Sequence, residues 1–99
     1  MRITLRQLEL FSAVARAGST AAAGEEVSLS QSAVSAAIND LEQSLGLQVF
    51  DRVGKRLVLN DLGRALFGRA ARVLDCARGI EKDFSNAGSL AHLKIAAST

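Results

Sequence analysis

Proline is absent from the 99 residues, so no position forces a helix to break. Tryptophan and tyrosine are absent too, and four phenylalanines are the whole aromatic content, which leaves the core to aliphatic side chains and alanine. The single cysteine, Cys76, excludes an internal disulfide framework and fits a reducing compartment. The single histidine, His92, cannot join it in a metal site or in a Cys–His dyad with a third orienting group. No apolar run approaches the roughly 20 residues of a membrane span, and the N-terminus carries no signal-peptide pattern. Glycine-rich phosphate loops and the GxSxG elbow are missing, and the glycines are dispersed. Neither catalysis, nor a metal site, nor a cofactor, nor a membrane partner is expected. A cytoplasmic, mainly α chain is.

Hydrophobic residues make up 48%, enough for one small domain or for one domain and a piece of another. Thr4-Leu5-Arg6-Gln7 has the form of a capping box. Helical spacing of Leu5, Leu8, Phe11, Val14 and Ala15 then predicts a first helix over about 5–17, stopped by Gly18. Ser19 is placed to cap a short second helix, and Ser30 a third over 31–45 with Gly46 as its left-handed stop. In that third helix Val34, Ile38, Leu41 and Leu45 form a buried stripe, while Gln31, Ser32, Ser35, Ala36 and Asn39 lie opposite, short or amide-bearing and uncharged. Val49-Phe50 and Leu57-Val58-Leu59 read as two short strands flanking a basic tip, Asp51 to Arg56.

Asn60 should cap a long last helix over about 61–87, ended by Gly88-Ser89. Leu66, Ala70, Val73, Ala77, Ile80 and Phe84 recur at alternating intervals of four and three, a coiled-coil seam, and Phe67, Ala71 and Leu74 make a neighbouring stripe. Two stripes require two partners, the chain's own domain and a second chain. Leu93, Ile95 and Ala97 alternate as in a strand. A lone strand is unstable, so the expectation is a chain cut from a longer one.

Three helices and a hairpin make a winged helix-turn-helix, with the helix-turn-helix at about 20–39. Gln31, Ser32 and Ser35 occupy the first turns of its third helix, where side chains can approach a major groove. A glutamine can pair with adenine N6 and N7, and Arg52, Lys55 and Arg56 suit phosphate or minor-groove contact. The alternative is a winged domain and helical seam used to bind protein, with the same polar residues merely solvated.

The run Leu5-Arg6-Gln7-Leu8, Phe11, Ala13-Val14-Ala15, Gly18-Ser19, Ser30-Gln31-Ser32-Ala33-Val34-Ser35, Ile38, Leu41-Glu42, Leu45-Gly46, Phe50, Arg52 and Leu59 resembles the N-terminal domain of LysR-type transcriptional regulators. The resemblance covers 3–60 without a gap. It implies a winged helix-turn-helix DNA-binding domain over 3–60, a linker and dimerisation helix over 61–88, and over 89–99 the start of a truncated effector-binding domain that would take a small molecule. It implies a bacterial, non-enzymatic regulator that binds interrupted palindromes in double-stranded DNA as a homodimer or tetramer. Carried over by position, Gln31, Ser32, Ser35, Ala36 and Asn39 are the base-contact set. Ser19, Thr20, Ser28, Ser30, Arg52, Lys55 and Arg56 are the backbone and wing set. Leu66, Ala70, Val73, Ala77, Ile80 and Phe84 are the dimerisation set. This chain departs from the family at Ser32, often proline, at Ala36 and Asn39, where many members carry Arg or Lys, and at Thr20, usually a bulky apolar residue. The resemblance therefore transfers no base preference. The stretches Gln31–Ala37, Asp51–Arg56 and Ala97–Thr99 are most similar to the branch that regulates sulfur assimilation or carbon fixation.

Overall fold

The computed structural model describes residues 3–90, by backbone alone from 86 onward. Three helices, α1 (Leu5–Ala17), α2 (Thr20–Val27) and α3 (Gln31–Leu45), are followed by strands β1 (Phe50–Val53) and β2 (Arg56–Leu59) and by a long helix α4 (Asp61–Leu90). The chain starts each helix on a side-chain acceptor, because the first amides of a helix have no partner within it. Thr4 Oγ1 accepts from Gln7 N and Gln7 Oε1 accepts from Thr4 N, both at 3.0 Å, closing the expected capping box. Ser19 Oγ takes the Ala22 amide and Ser30 Oγ the Ala33 amide, each at 3.1 Å. Asn60 Oδ1 takes the Gly63 amide at 2.7 Å. The first three helices stop on left-handed residues, Gly18, Ser28 and Gly46. At Gly46 and Leu47 the amides turn back onto Glu42 and Gln43 carbonyls, the hydrogen-bond pattern of a Schellman stop.

Helix α1 is the centre of the molecule. Five consecutive residues, Leu10 to Val14, are buried, which requires neighbours on every side of the helix, and α2, α3, α4 and β2 supply them. Phe11 is fully enclosed, with the Phe50 ring centroid at 5.4 Å and that of Phe67 at 6.3 Å. Val34, Ile38 and Leu41 close the core from α3, and Ala70 and Leu74 from α4.

The hairpin hangs on two backbone anchors. Leu57 N donates to Gly18 O at 2.9 Å, fastening β2 to the end of α1. Val49 is held from both sides: its amide donates to Glu42 Oε2 at 2.8 Å, and its carbonyl accepts from Asn60 N at 3.1 Å. Gly63 packs directly on that carbonyl, so a Cβ at 63 would collide with the oxygen.

Three expectations need correction. The basic tip is shorter than the run Asp51 to Arg56: Asp51–Val53 pair with Arg56–Val58, and only Gly54 and Lys55 turn the chain. Gly54 has a φ of 64°, the left-handed conformation such a tight turn needs. Gly88-Ser89 does not end α4, which continues through Leu90; the i→i−4 ladder tolerates glycine and serine once formed. Ala70 does not belong to an outward seam. It is 1% exposed, because α4 lays its Gly63, Ala70 and Leu74 face against the domain. The strand expected around Leu93–Ala97 lies outside the described residues.

Candidate nucleic-acid interface

Between α2, α3 and the hairpin runs an open groove of about 560 Å³. One wall is a ridge of α3: Gln31, Ser35 and Asn39 follow one another at every fourth residue and so share a face. The floor near the core is Ile38, Phe50 and Leu57, and the start of α2 supplies Ser19 and Thr20. Opposite stand Arg52 and Lys55. The pairing Arg52↔Leu57 explains why Arg52 faces this way, since cross-strand partners lie on one side of a hairpin and Leu57 packs on the core. Ser32 and Ala36 sit on the outer shoulder of the same α3 face, in a shallower depression with Gln31, Ser35 and Asn39.

Charge in the groove is uneven. Arg6 pairs with Glu9 at 3.5 Å and Arg16 with Glu26 at 2.9 Å; on α4, Arg64 pairs with Asp61, and Arg78 with Asp75 at 2.9 Å. Arg52, Lys55 and Arg56 have no acidic partner within salt-bridge distance among the described residues. Among the described residues Arg69, Arg72 and Lys82 of α4 are unpaired as well, but within residues 3–60 the hairpin alone carries the uncompensated cations, beside an α3 face that has no charge in its first two turns.

Several residues from the sequence reading are placed differently from one another. Ser30 spends its hydroxyl on the cap, with Ser32 Oγ 3.4 Å away. Ser28 lies outside the groove lining, at φ 60°, the only non-glycine residue at positive φ among those described. Arg56 lies outside it as well: its guanidinium rests over Gly18, 3.0 Å from where a Cβ would stand. Along α4, Val73, Ile80 and Phe84 are exposed at 43%, 55% and 72%, whereas Leu66 packs on the core and Ala77 is half-buried.

Not assigned to the site from the sequence are Glu42, Gln48 and Asp51, which also line the groove, and Leu62 on the exposed side of α4. Glu42 stands seven residues after Ser35, a spacing that places it on the same ridge, so its position was readable. Its bond to Val49 was not, because it joins separate elements.

The sequence model of the family described as "Bacterial regulatory helix-turn-helix protein, lysR family" matches residues 5–64, which span the three helices, the hairpin and the first turn of α4. The chain belongs to the LysR family. Among its LysR relatives it is 58% identical over 84 residues to the HTH-type transcriptional regulator YeiE of Escherichia coli K12, covering 85% of this chain and 29% of that protein. It is 43% identical over 82 residues to the RuBisCO operon transcriptional regulator of Allochromatium vinosum, covering 83% of this chain and 27% of that one. The chain thus spans less than a third of the length of these relatives. Its fold superposes on the CbnR DNA-binding domain in a crystal structure with DNA, at a TM-score of 0.78 and 34% identity, covering 88% of this chain and 99% of that one. The winged helix-turn-helix with a long following helix is therefore a LysR-family arrangement.

Proposed function

We propose that this chain is the DNA-binding part of a sequence-specific LysR-type transcriptional regulator that binds an interrupted palindrome in promoter DNA as a homodimer. Residues 3–60 form the DNA-binding unit, 61–88 the dimerisation helix, and 89–99 the start of a domain that takes a small-molecule effector. One observation carries the reading: an uncharged amide-and-hydroxyl ridge of α3 and the unpaired Arg52 and Lys55 of the hairpin wall the same groove. In this pose α3 enters the major groove, where side chains reach base edges. The hairpin cations meet phosphates. The CbnR domain, whose fold this chain shares, was crystallised on DNA.

Positive and negative residues balance over 1–60, where Arg2, Arg6, Arg16, Arg52, Lys55 and Arg56 meet Glu9, Glu25, Glu26, Asp40, Glu42 and Asp51. One copy would therefore bind weakly. Two copies joined through Leu62, Val73, Ile80 and Phe84 would bind tightly, because the second domain engages at a high effective concentration. The test is titration of the full-length protein with labelled promoter duplex at two salt concentrations. Binding should weaken with salt along a log–log slope that grows with the number of phosphates neutralised. Absence of duplex binding at low salt, with a protein partner captured through the same groove, would replace this reading with that of a protein-interaction module.

A further inference from the structure

Resting on the duplex-binding reading above, we propose that α3 selects adenine–thymine pairs over guanine at two positions of each half-site, through Gln31 and Asn39. Gln31 and Asn39 are exposed at the two ends of the groove ridge, with half-buried Ser35 between them. None of the three side chains has a hydrogen-bond partner among the described residues, so their donors and acceptors are free for a ligand. The whole of α3 holds no Lys or Arg, and Asp40 and Glu42 flank the end of the ridge.

The chemistry of the edges then decides between bases. A side-chain amide presents one acceptor and one donor side by side, which matches the N6 donor and N7 acceptor of adenine in the major groove. Guanine offers two acceptors there, N7 and O6, so the amide oxygen would face an acceptor unpaired. The bidentate partner of guanine is a cation, arginine above all, and α3 has none to offer. Ala36, on the shoulder beside the ridge, adds a methyl surface suited to the thymine methyl. Eight residues of helix separate Gln31 from Asn39, about 12 Å. At about 3.4 Å per base step, the two adenines stand roughly three to four steps apart.

The experiment is selection of duplexes from a randomised pool by the full-length protein, followed by affinities for the enriched site and for copies bearing 7-deaza-adenine, which lacks the N7 acceptor. Adenine should be enriched at two positions with that spacing, and 7-deaza substitution there should lower affinity between about 5- and 150-fold. Asn39→Ala should abolish the loss at one of the two positions only, and Gln31→Ala at the other. Asn39→Arg should move the preference at its position to guanine. Enrichment of guanine by the wild type at those positions, or an N7 effect unchanged in both alanine variants, would overturn the assignment while leaving duplex binding intact. A pool returned without enrichment, by a protein that binds no duplex at low salt, would overturn the underlying reading instead.

Discussion

Two glycines of α4 show how much a single Cβ decides. At Gly63 the backbone touches the Val49 carbonyl, so a methyl group has nowhere to go without parting α4 from the hairpin. At Gly68 a Cβ would meet open space. Gly63→Ala should therefore lower stability by about 3 kcal/mol, the upper range for overpacking. Gly68→Ala should raise it by about 1 kcal/mol, the difference in helix propensity. Urea unfolding followed by circular dichroism reads both, and equal effects at the two positions would contradict the close approach. Arg56 is a second residue-scale case. Resting on Gly18, its guanidinium is held near the junction of α1 and α2 while its charge stays uncompensated. Arg56→Ala should weaken all duplexes alike and reduce the salt slope by about one unit. An unchanged slope in the titration would remove Arg56 from the phosphate contacts.

At the scale of elements, α4 is two helices in one. Its first turns are fixed to the domain by Gly63, Leu66, Phe67, Ala70 and Leu74, and the Asn60 side chain ties its start to the Gln48 carbonyl at 2.9 Å. Beyond Ala77, every residue through Ser85 is exposed. A helix with no packing is marginal in water, so the distal half is stable only to the extent that another surface covers Ile80 and Phe84. Gly79 sits in this half with open space around it. Gly79→Ala should slow amide exchange across residues 76–85 in a dilute, monomeric sample, consistent with about 1 kcal/mol of added helix stability. Exchange there as slow as in α1 before any substitution would mean that the distal half needs no partner.

For the molecule as a whole, the long axis of 53 Å against 26 and 19 Å comes from α4 projecting past a small domain. Its exposed apolar side chains, Leu62, Val73, Ile80 and Phe84, lie on one flank, next to the face that packs inward. Replacing Ile80 and Phe84 together by Asp should leave the domain folded, since neither touches its core, and yield a monomer by sedimentation. Operator binding by that monomer should fall below detection at concentrations that saturate the wild type, because the gain in effective concentration is lost. Undiminished binding by a monomeric variant would show that one domain suffices.

Local chemistry made much of the architecture legible in advance. Thr4, Ser19, Ser30 and Asn60 each satisfy amides within three residues, and Gly18 and Gly46 each terminate a helix next to them, so helix boundaries can be read from neighbours along the chain. The candidate ridge of α3 was legible for the same reason, since helical spacing alone puts Gln31, Ser35 and Asn39 on one face. Contacts between distant residues were not. Periodicity could find two apolar stripes on α4 but could not say which one the domain would take, and it placed both Leu66 and Ala70 on the outward one although they pack on the core. Nor could it foresee that Arg52 and Lys55 would line the groove while Arg56 lay on Gly18, because that follows from the hairpin register and the Leu57–Gly18 bond. Caps and faces depend on residues a few positions apart, whereas the choice of stripe and the direction of each cation depend on how separate elements pack.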